Sequence, residues 1–167
     1  QQSLANLFAG VLIIADAPYQ IGDMLQLESG DRGEVVDIGI RSTRLLTTDG
    51  VEIIVPNSIM ANTKVVNETG GPMRPRRVRV PIGVAYGVDL QQVKDVLVEA
   101  LHKVPQVLDG PPGAPPRVVV KGFGASSVDL DVIVWLAEAR ELTVFMDAVN
   151  LAIYNALNAA RIEIPYP

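Results

Sequence analysis

Cysteine is absent from the 167-residue chain, and histidine occurs once. Without cysteine the chain has no disulfide framework, no thiol nucleophile and no thiolate ligand for zinc. The single histidine, His102, has no second histidine or cysteine with which to build a transition-metal site, and carboxylates alone would suit Mg²⁺ or Ca²⁺ instead. Because His102 lies off the apolar stripe of its predicted helix, we expect a solvated side chain rather than a catalytic base. No cofactor is expected.

A basic excess is also missing. The chain carries 14 lysines and arginines against 19 aspartates and glutamates, which gives a formal net charge of -5. Proteins that bind duplex nucleic acid usually have the opposite balance. We therefore expect no nucleic-acid partner.

Long hydrophobic runs are lacking as well. The one candidate without charge covers residues 1–15 and ends at Asp16, whereas a membrane-spanning helix needs about 20 predominantly apolar residues. The stretch has neither the basic start nor the cleavage pattern of a signal peptide. Since the chain begins with Gln1 rather than Met, we interpret this stretch as the cut end of a longer segment.

The same stretch has a helical period. Apolar residues recur at spacings of three and four, which predicts a helix over residues 4–15: Leu4, Leu7, Phe8, Val11, Leu12, Ile14 and Ala15. The small residues Ala5, Ala9 and Gly10 lie nearly on another face, where a neighbouring backbone could approach closely, as in membrane helix packing. An ordinary buried helix is the alternative.

Residues 24–67 have the texture of short strands separated by turns. Five strands are predicted, over residues 24–28, 33–38, 43–47, 51–55 and 64–67. Gly30-Asp31 and Asp49-Gly50 are turn signals, and Pro56-Asn57-Ser58 predicts a break and a helix cap before one short helical turn. Strands at this spacing indicate a small all-β barrel or sandwich.

Glycine and proline in residues 68–75 mark a domain boundary. Beyond it the pattern predicts a strand over 78–84, a helix capped by Asp89, a proline-rich loop over 105–116 and a hairpin of strands 117–121 and 127–136. A long helix over 141–160 and a last strand over 162–166 complete the chain. This order of elements is typical of α+β ferredoxin-like folds.

No convincing catalytic constellation emerges, so the chain is not expected to be an enzyme. Asp129 and Asp131 alternate on one strand and are interpreted as its solvated side, which leaves a carboxylate-based hydrolase with little support. The loop over residues 122–127 precedes a strand and not a helix, so a phosphate site is disfavoured. A hairpin in which glycine supplies a positive φ is the preferred interpretation.

Arginines are concentrated at the domain boundary, at Arg74, Arg76, Arg77 and Arg79. Such a cluster could attract anions, line a solute path or contact nucleic-acid phosphates. The alternative is a solvated linker paired with carboxylates. No aromatic residues are interleaved with the cluster, which weakens single-strand binding.

Six motifs occur in order along the chain, namely QSLANLFAGVL (2–12), PYQIGD (18–23), TTDG (47–50) with IVPNS (54–58), GVAY (83–86) with Asp89, GASS (124–127) and IPYP (164–167). In this order they resemble the small-conductance mechanosensitive channel family, and the resemblance covers essentially the whole chain. The chain departs from the family at Gln2, where the classical member has a glycine hinge, and at Ala17 and Gln20, where it has basic residues.

The resemblance implies a mixed fold in five parts. These are the truncated end of a pore-lining helix (1–17), an Sm-like all-β small barrel (18–69), a linker (70–76), an α+β ferredoxin-like domain (77–161) and a strand that joins an axial barrel (162–167). Ala5, Ala9 and Gly10 would be helix-packing contacts. Arg74, Arg76 and Arg77 would lie near side portals, and Ile162, Ile164 and Tyr166 would belong to the axial strand.

The resemblance also implies a function. It predicts the cytoplasmic vestibule of a homoheptameric, tension-gated channel in the inner (plasma) membrane, which contacts lipid through its N-terminal helices and releases ions and small osmolytes after hypo-osmotic shock. The alternative is a soluble ring-forming Sm-like scaffold or RNA-binding protein.

Overall fold

The computed structural model describes residues 1–70, 75–110 and 115–165. The chain divides into two compact units, Gln1–Arg74 and Pro75–Pro167. Each unit has its own antiparallel sheet and its own hydrophobic cluster. A mixed fold with two successive α/β units is therefore confirmed.

The first unit begins with a helix and continues as a meander of strands. Its elements are α1 (Gln2–Asp16), β1 (Met24–Leu27), β2 (Arg32–Ile38), β3 (Ser42–Leu46), β4 (Glu52–Pro56), α2 (Asn57–Asn62) and β5 (Val65–Asn67). The strands form one antiparallel sheet in the order β4-β3-β2-β1-β5. The helix, the five strands and the short helical turn predicted from the sequence are all present.

Local backbone chemistry explains where the hairpins of this sheet turn. Gly30 and Gly50 have φ values of 94° and 74°, a left-handed conformation that costs glycine little and other residues more. Between the turns, alternate side chains point inward, and Leu25, Val35 and Leu45 are fully buried. The turns therefore fix the register that brings these three residues into one core.

The second unit is a four-stranded antiparallel sheet covered by two helices. Its elements are β6 (Arg76–Val84), α3 (Leu90–His102), β7 (Val107–Leu108), β8 (Arg117–Phe123), β9 (Val128–Leu136) and α4 (Leu142–Ala159), which follows a 3-10 turn at Ala139–Glu141. Strand β9 is central, with β6 along one side and β7 and β8 along the other. The predicted strand, hairpin and two helices are confirmed.

The helices of this unit pack on one face of the sheet. The shared cluster includes Leu97 of α3, Phe145 of α4, and Leu130 and Val132 of β9. Helix α3 starts where predicted, because the Asp89 carboxylate accepts hydrogen bonds from the backbone N–H groups of its first turn.

Residues 162–165 form no strand within their own chain, so the strand predicted over 162–166 is absent from the described part of a single copy. Ile162 is buried in the core of its own unit, and Ile164 is 41% exposed. One backbone bond joins the segment to the sheet, from the Ala85 N–H to the Glu163 carbonyl at 2.9 Å. A strand needs a partner along its length, and one bond is too little. Tyr166 lies outside the described residues.

Glycine in the hairpin between β8 and β9 does not act as predicted. The hairpin is present, but Gly122 and Gly124 are not among the glycines with positive φ. A Cβ on Gly124 would lie 3.2 Å from an Asp129 carboxylate oxygen and 3.2 Å from the Ser127 carbonyl. Close approach, and not left-handed backbone, therefore favours glycine at position 124.

None of the helices within residues 1–70, 75–110 and 115–165 is both long and apolar enough to cross a membrane.

Candidate functional site: helix α1 and its contacts with the first sheet

Helix α1 exposes an apolar face. Six large side chains are between 41% and 63% exposed, namely Leu4, Leu7, Phe8, Val11, Leu12 and Ile14. The opposite face, with Ala9, Gly10 and Ile13, is buried in the first unit. An exposed apolar surface of this extent marks a site of contact with another apolar body.

Gly10 lets α1 lie directly against the loop between β2 and β3. A Cβ built on Gly10 would lie 2.7 Å from Asn57 Nδ2 and 2.8 Å from the Ile40 carbonyl oxygen. Ala9 is buried beside it, whereas Ala5 is exposed. Two of the three predicted packing residues therefore contact their own chain, and the role of all three in packing against other helices stays a prediction.

Asn6 supplies a cap to a different helix. Its side-chain oxygen accepts a hydrogen bond of 3.0 Å from the backbone N–H of Ser58, in the first turn of α2. Helix α2 has no cap from its own flanking residue, which is Pro56. Sequence reasoning missed this contact, although Asn6 is the one polar side chain in residues 4–15 and could have signalled a partner.

Asn57 does not form the helix cap that the sequence predicted. Its side chain is fully buried, accepts a hydrogen bond from the Thr43 hydroxyl at 3.0 Å and donates one to the Gly39 carbonyl at 2.9 Å. A buried amide needs such partners, so Asn57 turns inward and leaves the cap of α2 to Asn6.

A short turn after α1 sets the direction of the helix relative to the first sheet. Ala17 has φ 45° and ψ 52°, and its N–H donates to the Ile13 carbonyl at 2.9 Å. This left-handed conformation costs a residue with a Cβ about 1–2 kcal/mol. Pro18 follows and cannot continue the helix. The ring of Tyr19 then enters the core, where it is 3% exposed.

Tyr19 is the one buried phenol of this region. Burial raises the pKa of its hydroxyl, and the neighbouring Thr43 hydroxyl acts in the opposite direction. The raised pKa means that folding favours the neutral phenol over the phenolate.

The arginine cluster belongs to strand β6 and the residues before it. Arg74 lies outside the described residues, while Arg76 and Arg77 are the first two residues of β6. Arg77 is exposed and Arg76 is half-buried. Arg79 lies 3.4 Å from the carboxylate of Asp131. Portal charge at Arg74, Arg76 and Arg77 stays a prediction.

Asp131 contradicts the prediction of a solvated face on β9. Its side chain is 7% exposed, since Pro81 and Val119 flank it on the neighbouring strands. Asp129 is half-buried and accepts a hydrogen bond of 2.8 Å from the Ser127 hydroxyl. Arg79 and Ser127 contact these two carboxylates. Strand β9 is central and has a neighbouring strand on each side, which buries the Asp131 side chain even on the polar face.

His102 is half-exposed, and its Nδ1 lies 3.6 Å from the Asp109 carboxylate. In the part of the chain that the structure describes, no group of three or more histidine, aspartate or glutamate side chains could hold a metal ion.

Each unit of the fold matches one part of a known protein family. Residues 2–70 match the family described as "Mechanosensitive ion channel, beta-domain", and residues 78–164 match "Mechanosensitive ion channel MscS, C-terminal". The chain belongs to the MscS family. The resemblance read from the six motifs is thereby confirmed.

Relatives of this MscS-family chain are named as mechanosensitive channels. The small-conductance mechanosensitive channel of Edwardsiella ictaluri is 32% identical over all of this chain and 56% of its own length. Mechanosensitive channel MscK of Escherichia coli is 33% identical over 84% of this chain and 12% of its own length. The MscS-family chain therefore spans a little more than half the length of the first relative and about an eighth of the second.

Solved structures of the family share the fold. The closed-state crystal structure of Helicobacter pylori MscS superposes with a TM-score of 0.79 and 26% identity, over 98% of this chain and 62% of that one. Arabidopsis thaliana MSL1 gives a TM-score of 0.72 at 20% identity, over 100% of this chain and 60% of that one. The matches give no support to a ring-forming RNA-binding scaffold.

Proposed function

We propose that this chain is the cytoplasmic vestibule of a tension-gated channel that releases ions and small osmolytes on hypo-osmotic shock. The observation that carries the proposal is the apolar face of α1, which stays exposed while Gly10 and Asn6 hold the other face on the first sheet. The channel lies in the inner (plasma) membrane, with this portion on the cytoplasmic side. Membrane tension favours the open state because that state occupies more area.

Helix α1 is the downstream half of the pore-lining helix. The helix has 15 residues, and each adds about 1.5 Å to its length. The whole helix is therefore shorter than the roughly 30 Å thickness of a bilayer core. A helix of this length, exposed and apolar on one side, lies along the membrane face. Ala5 is exposed and offers a small residue to a neighbouring helix, and Ala9 and Gly10 set how closely α1 approaches its own sheet.

Self-association into a homoheptamer uses the first sheet. Strands β4 and β5 are its outer strands, and in the described residues no further strand pairs with either of them. Pairing β4 of one copy with β5 of the next would close a ring and remove both edges. The five antiparallel strands support the Sm-like assignment. Apart from the two-residue strand β7, the order β6, α3, β8, β9, α4 follows the first five elements of the ferredoxin-like order and supports that assignment.

The linker between the domains, the arginines beside it and the last segment of the chain also have roles in the proposed channel. The division into units after Arg74 supports a linker over 70–76, between domains at 18–69 and 77–161. Arg76 and Arg77, with Arg74, bias the charge of solutes near the portals. We propose that the segment 162–167, with Ile162, Ile164 and Tyr166, becomes the axial strand by pairing with other copies of the chain. Within its own unit Ile162 is buried, whereas Ile164 is 41% exposed.

Patch-clamp recording of the full-length parent protein tests the proposal. Suction applied to membrane patches should open a channel with a reproducible tension midpoint. Patches from cells that lack the protein serve as the control. Healthy patches that contain the protein but give no tension-dependent current would refute the proposed function.

A further inference from the structure

Asp23 joins two segments of the first unit that are far apart in sequence. It lies in the turn between α1 and β1, where its Oδ2 accepts hydrogen bonds from the Gln20 N–H and from Asn67 Nδ2, both at 2.9 Å. Its Oδ1 accepts from the Thr69 hydroxyl at 3.2 Å. One carboxylate thus holds both the segment that follows α1 and the segment that follows β5.

Asn67 and Thr69 complete the connection. Thr69 Oγ1 accepts the Met24 N–H at 2.9 Å, and Asn67 Oδ1 accepts the N–H groups of Thr69 and Gly70 at 3.1 and 2.6 Å. We call Asp23, Asn67 and Thr69 the clasp. Its three side chains accept hydrogen bonds from four backbone N–H groups. The bonds that cross between the two segments run from Asn67 Nδ2 and the Thr69 hydroxyl to Asp23, and from the Met24 N–H to Thr69. Separating the segments would break these bonds and leave the Met24 N–H without its side-chain partner.

The clasp is directly attached to the end of α1. Asn67 Nδ2 also lies 3.4 Å from the Pro18 carbonyl oxygen, one residue beyond the left-handed Ala17. A movement of α1 that displaces residues 18–23 must therefore either carry residues 67–70 with it or break the clasp. All three clasp residues are half-buried.

Water can reach the clasp when it opens. The clasp borders an open, mostly polar cavity of about 480 Å³, which Ala17, Pro18, Gln20 and Gly70 also line. Solvent in this cavity can hydrate the polar groups that opening releases, which lowers the cost of breaking the clasp. The arrangement suits a contact that changes between two states better than a permanent one.

We propose that Asp23 is a positioning residue for gating, which holds the base of α1 against residues 67–70 in the closed channel. This inference rests on the proposed function. The fold that contains the clasp superposes on a closed-state MscS structure, and the proposal assigns the clasp to the closed conformation. A contact that forms in the closed channel and not in the open one shifts the equilibrium between them towards the closed state by its own free energy, just as a ligand specific for one state would.

Hydrogen exchange of the full-length protein in lipid nanodiscs tests whether the clasp exists as a unit. In Asp23→Ala, exchange at residues 67–70 should become about tenfold faster, although none of those N–H groups bonds to Asp23 itself. The matched control is Asp31→Ala, which removes an exposed turn carboxylate bonded to the Ser29 hydroxyl. Faster exchange confined to residues 20–24 would overturn the clasp.

Patch-clamp recording of the same variants tests the gating role. Asp23→Ala should open at lower tension than the wild type, with about a tenfold higher ratio of open to closed channels at a fixed tension below the midpoint. Asp31→Ala should match the wild type. Asp23→Asn keeps one acceptor oxygen and should lie between the two. An unchanged tension midpoint in Asp23→Ala, with faster exchange at 67–70, would overturn the gating role.

Two further outcomes keep the inference separate from the proposed function. If Asp23→Ala does not fold, Thr69→Val removes the bond to Asp23 and the bond from the Met24 N–H with little change of shape, and the same faster exchange and lower tension are expected. If the wild-type protein gives no tension-dependent current, the proposed function and the gating role fail together, and the exchange experiment still decides whether Asp23 joins the two segments.

Discussion

The side-chain oxygen of Asn6 in α1 accepts a hydrogen bond from the backbone N–H of Ser58 in α2, 52 residues further along the chain. One helix therefore caps another, and the cap forms only while α1 lies on the sheet. Close packing at Gly10 and this hydrogen bond are two separate contacts that hold the same helix.

Loss of the cap should destabilise the first unit. In Asn6→Ala, the free energy of unfolding is expected to fall by about 1 kcal/mol, the typical cost of removing a helix cap. Urea unfolding followed by circular dichroism measures the change. Asn6→Asp keeps an acceptor oxygen and should recover most of the loss. Ser3→Ala, at an exposed position on α1, is the control. Equal stability of Asn6→Ala and Ser3→Ala would contradict the capping role.

A methyl group at position 10 should not fit. Gly10→Ala is expected to lower the free energy of unfolding of the first unit by about 1–3 kcal/mol, the usual cost of overpacking, because Asn57 and the Ile40 carbonyl leave no room for a Cβ. Denaturant unfolding measures the effect. At Gly122 a Cβ would have nothing within 4 Å, so Gly122→Ala should change stability by less than about 0.5 kcal/mol. A similar small effect at both positions would refute the close approach.

The left-handed backbone at Ala17 should respond to side-chain shape. Ala17→Val places a β-branched side chain at positive φ and should lower the free energy of unfolding by more than about 1 kcal/mol. Ala17→Gly removes the steric cost but gives the unfolded chain more freedom, so it should leave stability within about 0.5 kcal/mol of the wild type. Thermal unfolding of both variants measures the difference.

The control for this series is Ala15→Val, at an exposed position inside α1. It should cost no more than the difference in helix propensity, about 0.7 kcal/mol. If Ala17→Val and Ala15→Val are equally stable, residue 17 has ordinary helical or extended backbone and the turn is not strained.

Stability should fall at alkaline pH through Tyr19. Its folded pKa is raised above its ordinary value by burial, so the neutral phenol is favoured by folding. The resulting stability is complete below the unfolded pKa, about 10, and is lost as pH rises through the higher folded pKa. Unfolding free energies measured between pH 8 and about 11 should decline more steeply in the wild type than in Tyr19→Phe.

The matched control is Tyr154→Phe, since Tyr154 is 56% exposed. Its alkaline decline should match that of the wild type, because folding does not bury the Tyr154 side chain. A decline in Tyr19→Phe as steep as that of the wild type would show that Tyr19 is not the responsible group.

Much of the fold is predictable because its signals are local. Glycine at positions 30 and 50, Asp89 before α3 and Pro18 after α1 act through the backbone of their own neighbourhoods. Alternating apolar residues then identify the buried face of each strand. The contacts around α1 were harder to predict from the sequence, because the clasp joins residues that are 44 and 46 positions apart. No local pattern shows that Asp23 bonds to such distant residues.

The sequence by itself determined the helices, the hairpins, the boundary between the units and the family, because turn chemistry, hydrophobic period and ordered motifs all lie within short stretches of chain. Only the tertiary structure decided that Asn57 turns inward, that Asn6 caps α2 in its place, and that Asp131 is buried beside Arg79. The physical reason is common to all three. A polar side chain takes whichever partner satisfies it at the lowest cost, and that partner becomes available only when distant segments pack together.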